Sequence, residues 1–378
     1  MKVVISVDAV RPTLTGIGRY TWELARRMPG VPGLQSVRLF SQGRWVANVD
    51  SLLEQSATKL ALRQRLLRSP AAVATYRWLA PRLIQRRLRA FSDHVFHGTN
   101  FYLPPHDGPS VATFHDLSMF RFPQFHPPER VKFMHREIPL TLKRASFLIS
   151  DSEFIRQEII DYFGWPAEKI RAVPLGVSDE YCPRNPEEVD GVLQQYQLHY
   201  GQYALFVSTI EPRKNIETLL RAYERLPHLV RNAYPLVLAG GYGWQSEAIH
   251  ARIERGVQQG WLRYLGFVPE ATLPCLFSGA RAFVYPSLYE GFGLPVIEAM
   301  ASGLPVLISN RSSLPEVAQG AALVVEPEDI VGMTSSIRIL LEDTAWRATA
   351  RHRSLSTAAQ YQWSVTAQMT ADLYRSMA

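Results

Sequence analysis

Residues 282–298 read Ala282-Phe-Val-Tyr-Pro-Ser-Leu-Tyr-Glu290-Gly-Phe-Gly-Leu-Pro-Val-Ile-Glu298. The apolar run that ends at Pro286 predicts a short buried β-strand. Pro295 suits the first turn of a helix, and Gly303 is a stop signal just beyond the predicted end of that helix. A strand, a glycine-rich turn and a helix in this order form the repeating unit of an α/β fold with a parallel sheet.

The same residues have the features of a ligand site. Glu290 and Glu298 stand on either side of the turn, and Gly291 and Gly293 allow backbone N–H groups to approach a ligand closely. The amino terminus of the predicted helix favours an anion, so a diphosphate flanked by hydroxyl-rich groups would fit. The alternative is a capped strand-to-helix turn with two solvated acids.

The alternation of strands and helices continues on both sides of this unit. In the first half, strands are predicted at 3–8, 93–96, 110–114, 147–150 and 170–173, and helices at 17–28, 129–145 and 153–163. In the second half, strands are predicted at 203–209, 236–239, 263–266 and 304–309, with a helix at 215–225. We also expect Asn215 to cap that helix, and Ser313 and Glu316 to form a capping box on another.

Repeated βα units predict doubly wound sheets with helices on both faces, and the chain is long enough for two domains. Residues 178–200 are polar, contain two prolines and form the best linker candidate. We therefore predict domains at 1–185 and 186–357, and a final helix within 358–378 that packs back on the first domain. Ligands of such sheets bind beyond the carboxyl ends of the strands, so we expect two domains facing a cleft.

Charged and glycine residues follow several predicted strands. Arg213 and Lys214 suit a diphosphate, since arginine binds phosphate bidentately and lysine acts as a point charge; the alternative is two solvated surface cations. Gly16 and Gly18 precede a helix, but Thr21 replaces the third glycine of a dinucleotide fingerprint, so a structural turn stays open.

A histidine follows the strand predicted at 110–114. His115 and its neighbour Asp116 are candidates for bonding a sugar or orienting an acceptor. The competing account is a histidine that is held by local hydrogen bonds.

The composition is that of an ordinary soluble globular protein, with 378 residues, 47% hydrophobic and 20% charged. We expect a cytoplasmic location, because the amino terminus is too quickly polar for a signal peptide and no apolar run reaches the length of a membrane span. Two cysteines indicate neither a disulfide framework nor a cysteine metal site. No D-x-D, H-x-x-x-H or C-x-x-C pattern occurs, so we expect no metal.

The net charge of +7 is concentrated in one segment. Nine Lys or Arg residues lie between Lys59 and Arg89, and no acid occurs between Glu54 and Asp93. At its end, one predicted helix face carries Arg82, Arg86 and Arg89, and the opposite face carries Ile84, Leu88 and Phe91. A basic amphipathic helix suits an anionic membrane surface, and the alternative is a surface helix that packs on its own domain. Nucleic acid is disfavoured because no binding motif accompanies the charge.

Taken together, these motifs resemble those of the retaining glycosyltransferases of the GT-B fold, in the large class called family four or group 1. The residues that carry the resemblance are Thr15-Gly-Ile-Gly-Arg-Tyr20, Thr113-Phe-His-Asp116, Glu211-Pro-Arg-Lys-Asn215 and the 290–298 motif, in the family's order. The resemblance is closest to bacterial mannosyl- and rhamnosyltransferases of surface polysaccharide (O-antigen) assembly.

The resemblance implies a role for each motif. The second domain would bind a sugar nucleotide, with Glu290 on the donor sugar, Glu298 on the ribose, and Arg213 and Lys214 on the diphosphate. The remaining implied positions are diphosphate contacts from Gly16, Gly18, Gly291, Phe292, Gly293 and Leu294, base contacts at Phe267 and Val268, and acceptor-side residues His115 and Asp116.

The resemblance also implies the reaction and its partners. We expect retention of anomeric configuration without a metal or other cofactor, and a GDP-sugar as donor. The acceptor would be a polyprenyl-linked glycan at the inner face of the cytoplasmic membrane, with Arg82, Arg86, Arg89, Ile84 and Leu88 as membrane contacts. Three other functions stay open: transfer from a UDP- or ADP-sugar to a soluble acceptor, sugar-nucleotide epimerisation, and non-catalytic binding of a sugar nucleotide or glycan.

Overall fold

The structure is a computed structural model that describes residues 1–54 and 82–377. It contains two compact units. The first comprises Met1–Leu117, Lys132–Leu175 and the chain from Trp363 onwards, and the second comprises Ser118–Val131 and Gly176–Gln362. Each unit is built around its own mostly parallel sheet.

The sheet of the first unit has the order β3-β2-β1-β4-β5-β6-β7 in the described part of the chain. Its pairs are parallel except for β2 and β3, which form an antiparallel edge hairpin. The strands are β1 Lys2–Ser6, β2 Ser36–Ser41, β3 Arg44–Val46, β4 Val95–Gly98, β5 Ser110–Phe114, β6 Phe147–Ser150 and β7 Ile170–Ala172.

The sheet of the second unit is parallel throughout, in the order β10-β9-β8-β11-β12-β13. Its strands are β8 Ala204–Val207, β9 Leu236–Ala239, β10 Leu262–Gly266, β11 Ala282–Tyr285, β12 Val306–Ser309 and β13 Leu323–Val325. Strands β8, β9, β11 and β12 are buried along their whole length, because helices cover both faces of the sheet.

Helices connect the strands. The α-helices that begin before the second sheet are Gly16–Arg27, 82–88, Ser118–Arg121, Pro128–Arg144, Glu153–Phe163 and Pro186–Gln195. Those that follow are Ile216–Glu224, His228–Ala233, Glu247–Gln258, Leu273–Gly279, Leu294–Ala301, Leu314–Ala318, Ile330–Glu342, Thr344–Ala358 and Trp363–Arg375.

Three predictions about organisation require correction. The strand predicted at 93–96 lies at Val95–Gly98, because a helical turn at Arg89–Phe91 extends to His94, whose N–H donates to the Phe91 carbonyl. The predicted linker at 178–200 contains helix Pro186–Gln195, whose buried face the polar composition concealed.

The boundary predicted at 185/186 falls inside the second unit, whose longer segment begins at Gly176. The reason is that the residues before 186 already pack there: Val177 bridges to Gln362, and the ring of Tyr181 lies 5.5 Å from that of Phe277.

The final helix, Trp363–Arg375, belongs to the first unit. Its Tyr374 hydroxyl lies 2.6 Å from Nδ1 of the buried His97, and Nε2 of His97 lies 2.8 Å from Oγ1 of Thr113 on β5. Burial, reinforced by the nearby His115, lowers the pKa of His97 to about 3, so this imidazole is neutral at physiological pH. The helix is therefore held to the first sheet by uncharged hydrogen bonds as well as by packing.

No helix within residues 1–54 and 82–377 combines the length and apolar character that are needed to cross a bilayer.

Candidate active site

A buried cluster of charged side chains in the second unit lies where the strand order of its sheet reverses. The chain runs outward from β8 through β9 to β10 and then crosses back to β11, which pairs with β8. Doubly wound sheets bind ligands beyond the carboxyl ends of the strands at such a switch point. Arg213 and Lys214 follow β8, and Glu290 follows β11, so the topology brings together three residues that are distant in sequence.

The loop after β8 is tied to the loop after β11 by Asn215. This residue adopts a left-handed conformation, with φ of 56°, and its side-chain amide donates to the carbonyls of Pro286 at 3.2 Å and Pro327 at 2.8 Å. Asn215 stands at the N-cap position of helix Ile216–Glu224, as predicted, but its side chain makes no capping hydrogen bond to that helix. Asn215 instead holds the two site loops together.

Lys214, Arg213 and Glu290 form a buried ion cluster. Lys214 Nζ lies 2.6 Å from Glu290 Oε1 and donates to the Tyr285 hydroxyl at 3.0 Å. Arg213 Nη1 lies 3.2 Å from Glu290 Oε2, and Nη2 lies 2.8 Å from Oε1 of Glu211. The side chains of Lys214 and Glu290 are only 8% and 10% exposed, so the alternative of solvated charges is excluded for this pair.

The cluster keeps its members charged. Burial on its own would raise the pKa of Glu290, but the Lys214 and Arg213 cations outweigh it and lower the pKa to about 2. Burial and the Arg213 cation would lower the pKa of Lys214, but the Glu290 carboxylate contributes to a net increase. The Lys214 cation and the Glu290 carboxylate thus stand charged beside Arg213 at the switch point at neutral pH, largely shielded from water.

Two serines hold the Glu290 loop in place. The Glu290 N–H donates to Ser312 Oγ at 2.8 Å, and Ser313 Oγ donates to the carbonyls of Glu290 and Phe292, both at 3.0 Å. Ser313 therefore braces this loop and makes no capping hydrogen bond to helix Leu314–Ala318, so the predicted capping box is wrong. Sequence reasoning missed the bracing because a short serine segment carries no signal for a partner in a distant loop.

The glycine-rich turn needs its glycine at Gly293. This residue has φ of 103°, and a Cβ atom there would lie 2.8 Å from Leu314 Cδ2. The turn leads into helix Leu294–Ala301, which begins beyond the carboxyl end of β11.

The other residues of the second unit that are predicted to contact a sugar nucleotide differ in exposure. Gly291 is buried and Leu294 half-buried in the turn, and Glu298 is half-buried in the helix. The Phe292 ring packs edge-on against Tyr361 at 5.6 Å, so its side chain has a packing role. After β10, Phe267 is 63% exposed and Val268 is buried.

In the first unit, both ring nitrogens of His115 are engaged within the fold. Nδ1 lies 2.8 Å from Asp151 Oδ2, and Nε2 lies 2.8 Å from the Thr99 carbonyl oxygen. Since a carbonyl only accepts, Nε2 carries a hydrogen and a further proton is held between Nδ1 and Asp151. Burial alone would lower the pKa of His115, but the carboxylate and the carbonyl outweigh it and raise the pKa. Hydrogen bonds therefore hold the ring, as in the competing account, but its partners are distant in sequence and not local.

The remaining residues of the first unit separate into exposed and packed positions. Gly16 is exposed at the start of helix Gly16–Arg27, and Asp116 is half-buried. Gly18 is buried: its N–H donates to Thr15 Oγ1, and a Cβ atom there would lie 3.1 Å from the Ala9 carbonyl oxygen. Gly18 therefore has the close packing of a structural turn, and its contact with a diphosphate stays a prediction.

Part of the basic segment lies in the described chain. Arg82, Arg86 and Arg89 are exposed and Ile84 is half-buried, whereas residues 55–81 lie outside the described ranges. Leu88 is 1% exposed, so its predicted membrane contact is wrong, because it packs into its own unit. The neighbouring Leu83, which the helical-face argument missed, is 57% exposed.

No group of three or more His, Cys, Asp or Glu side chains with the geometry to hold a metal ion occurs among the described residues.

Comparison with known proteins identifies relatives over the whole chain. A family model described as Glycosyl transferases group 1 matches residues 197–360, and one described as Glycosyltransferase Family 4 matches residues 14–181. A relative from Escherichia coli named O-antigen chain mannosyltransferase B is 41% identical over 379 residues, which cover 99% of this chain and 100% of the relative. The O-antigen chain mannosyltransferase RfbU of Salmonella typhimurium is 26% identical over 69% of this chain and 68% of its own length.

Solved structures show the same fold at low sequence identity. WaaG, a glycosyltransferase involved in lipopolysaccharide biosynthesis, has a TM-score of 0.67 and 15% identity, and the match covers 98% of this chain and 99% of WaaG. Sucrose-phosphate synthase of Thermosynechococcus elongatus has a TM-score of 0.74 and 20% identity, covering 100% of this chain and 99% of the other.

The ion cluster predicts a specific dependence of stability on pH. Glu290 has a folded pKa below its unfolded value, so its contribution is complete above about pH 4.5 and is lost as the pH falls towards 2. Glu290→Gln leaves buried cations short of a partner, and we expect it to cost about 3 kcal/mol at pH 7. The cost should shrink as the pH falls below 5, because the Glu290 carboxyl of the unfolded wild-type chain then takes up a proton, whereas that of the folded chain stays ionised until the pH approaches 2.

Urea unfolding of both proteins between pH 7 and pH 4 measures this difference. The matched control is Glu217→Gln, which removes a carboxylate from an exposed pair with Arg221 and should change the free energy of unfolding little at any pH. A Glu290→Gln cost that stays constant over the range, or equals that of the control, would contradict the cluster's role.

Proposed function

This chain belongs to the group 1, family 4 glycosyltransferases, and from that premise we propose that it transfers mannose from GDP-mannose to a growing, lipid-linked O-antigen glycan. It is a glycosyltransferase of the GT-B fold, with a nucleotide sugar as donor and a glycan as acceptor. The observation that carries the finer proposal is the 41% identity, over the entire chain, to an O-antigen chain mannosyltransferase. Family membership favours transfer over the epimerase and non-catalytic alternatives.

We assign the diphosphate of the donor to the switch point of the second unit. Arg213 offers a planar fork for phosphate oxygens and Lys214 a buried point charge, and both are already fixed by Glu290 and Glu211. The amino terminus of helix Leu294–Ala301 and the backbone at Gly291–Leu294 supply further donors. Gly16, exposed at a helix start, is the proposed contribution of the first unit.

Glu290 is the proposed contact of the donor sugar. Its two oxygens accept hydrogen bonds from Lys214 and Arg213 when no donor is bound, and each oxygen has a second lone pair for a sugar hydroxyl. The cations hold the carboxylate ionised, so it acts as an acceptor throughout the reaction. Glu298, in helix Leu294–Ala301, is the proposed contact of the ribose. The backbone at Phe267 and Val268 is the proposed contact of the base.

Departure of the diphosphate creates negative charge that must be stabilised. We propose that Arg213, Lys214 and the helix amino terminus do this without a metal ion, since fixed cations in a shielded site stabilise charge strongly. The anomeric configuration would be retained, with the leaving phosphate accepting the proton of the attacking acceptor hydroxyl on the same face of the sugar.

On the acceptor side we propose His115 as a positioning residue and Asp116 as a contact. With both ring nitrogens bonded to Asp151 and Thr99, the imidazole fixes the loops after β4, β5 and β6 relative to one another. Asp116, next in the chain and half-buried, is the side chain that such a scaffold would present to an acceptor hydroxyl.

A lipid-linked acceptor requires the enzyme to work at a membrane surface. We propose that the exposed face of residues 82–89 makes this contact from the cytoplasmic side, with Arg82, Arg86 and Arg89 attracted to anionic headgroups. The exposed Leu83 and the half-buried Ile84 would enter the interface between headgroups and acyl chains.

Transfer to a defined acceptor tests the proposed reaction. The purified protein, mixed with GDP-mannose and a synthetic mannose oligosaccharide on a lipid tail, should release GDP and lengthen the oligosaccharide by mannose units. Glu290→Ala should lower the rate at least 100-fold, by the scale expected for loss of one fixed polar contact in the transition state. Circular dichroism establishes that the variant is folded.

UDP-glucose and ADP-glucose serve as comparison donors in the same assay. Elongation with only one of these donors, and not with GDP-mannose, would overturn the donor assignment. An unchanged rate for Glu290→Ala would overturn the role of Glu290.

Flotation with vesicles tests the membrane contact. The wild-type chain should float with vesicles that contain phosphatidylglycerol and remain at the bottom with pure phosphatidylcholine. The triple variant Arg82→Gln, Arg86→Gln, Arg89→Gln should lose most of this binding, since each basic residue near the surface contributes about 1 kcal/mol.

A control variant carries the same charge change elsewhere, in Arg255→Gln, Arg338→Gln, Arg353→Gln, all exposed residues of the second unit. If both triple variants lose flotation equally, general charge and not the 82–89 face attracts the protein to the membrane.

A further inference from the structure

A second cationic site lies at the opposite edge of the sheet of the second unit. A cavity of about 720 Å³ is lined in part by residues that lie one or two positions before a strand: Gln202 before β8, Arg281 before β11, and Pro305 before β12. The ion cluster follows the carboxyl ends of β8 and β11. The two sites therefore lie at opposite ends of the same strands. Because β8 and β11 have four residues each, those ends are about 13 Å apart.

Three arginines face this cavity without a carboxylate. Arg281, Arg347 and Arg351 all line it, and none of its described lining residues is Asp or Glu. None of the three arginines forms an ion pair with a described residue. This contrasts with Arg213 and Lys214, each of which has a carboxylate partner within 3.2 Å.

The fold holds these guanidinium groups in place through uncharged contacts. Arg281 Nε donates to the Leu341 carbonyl at 2.6 Å, and its guanidinium lies 4.5 Å from the centre of the Tyr234 ring. Arg347 Nη2 donates to the Arg281 carbonyl at 3.3 Å, which brings the two residues together. The guanidinium of Arg351 packs on Gly303, where a Cβ atom would lie 3.2 Å from Arg351 Cζ.

The arginine cluster has unsatisfied hydrogen-bonding capacity. Arg347 Nε is buried and has no hydrogen-bond partner. Burial, and then the proximity of Arg281 and Arg351, lowers the pKa of Arg347, with Tyr234 as the opposing influence. Repulsion among like charges and a buried donor without an acceptor both raise the free energy of the empty site, and an oxyanion would offset both.

We propose that this cavity binds a phosphate group carried by an organic molecule. Guanidinium forks match phosphate oxygens bidentately, which favours phosphate over a halide or a single carboxylate. The volume exceeds that of a phosphate ion and falls in the range of roughly 300–1,000 Å³ that is typical of small-molecule sites. The rings of Tyr200 and Tyr234 in the wall provide apolar surface for the rest of the ligand.

A soluble phosphate ester and a lipid headgroup share this chemistry, and arginine footprinting separates them. The full chain is labelled with phenylglyoxal in the presence of pyrophosphate, phosphatidylglycerol vesicles or phosphatidylcholine vesicles, and the peptides are read by mass spectrometry. We expect pyrophosphate to slow the labelling of Arg347 and Arg351 severalfold but not that of Arg353, which does not line this cavity. Arg213 in the same digest reports independently on the proposed donor site.

A variant measures the contribution of one guanidinium. Arg351→Gln should raise the pyrophosphate concentration that half-protects Arg347 by roughly 10- to 100-fold, the scale of a charged hydrogen bond. Arg353→Gln, two residues further along helix Thr344–Ala358, is the matched control and should leave it unchanged.

Protection by pyrophosphate identifies a soluble phosphate ester as the ligand, and protection by phosphatidylglycerol vesicles alone identifies a headgroup. The proposal is overturned if neither protects Arg347 and Arg351, or if Arg353 is protected equally.

Discussion

The buried ion pair between Lys214 and Glu290 is the constraint on which the second unit's site depends. Neither charge would be stable alone at an exposure of 6–7%, since desolvation of an unpaired ion costs several kcal/mol. Their pairing fixes the loop after β8 against the loop after β11 at the one place where the strand order reverses. Asn215, Ser312 and Ser313 then hold these loops through backbone contacts, so the charges are positioned before any ligand arrives.

The two edges of this sheet handle positive charge in opposite ways. At the carboxyl edge, carboxylates partner Arg213 and Lys214. Under the proposed function, this partnership would favour release of the diphosphate after transfer. At the amino edge, Arg281, Arg347 and Arg351 form no ion pair with a carboxylate of a described residue, and Arg281 and Arg347 donate hydrogen bonds to backbone carbonyls. At the proposed second site, a bound anion would not compete with a carboxylate of the described chain for the arginines. Such a site would retain its anion more strongly than the site at Arg213 and Lys214.

Much of the fold could be predicted because its strands are short buried apolar runs and its helices begin and end at proline, glycine and capping residues. The run at 282–285 and Pro295 mark a strand and a helix that the structure contains. Local sequence could not reveal Val189 and Leu193 as the buried face of a helix in a polar segment. The hairpin strand β3 was also missed, because its three residues are too few to show a period.

The residues of the candidate site could be proposed from the sequence, but the contacts among them could not. Strand ends indicate where Arg213, Lys214 and Glu290 lie, yet the pairing of Lys214 with Glu290 joins positions 76 residues apart. Two other contacts could not be predicted for the same reason. Asp151 bonds to His115, which follows a different strand, and Ser313 bonds to the Glu290 loop although its local pattern predicts a helix cap. Each of these contacts is a long-range hydrogen bond, and the topology of the sheets brings its partners together.

The division of labour between Glu290 and the two cations is tested most directly by calorimetric titration of GDP and GDP-mannose. If Glu290 holds the donor sugar and the cations hold the diphosphate, folded Glu290→Gln should bind GDP about as tightly as the wild type but lose the added affinity for GDP-mannose. Arg213→Gln should weaken both ligands by a similar factor, roughly 10-fold or more. Equal weakening of GDP and GDP-mannose by Glu290→Gln would contradict the account, because the carboxylate would then act only through the cations.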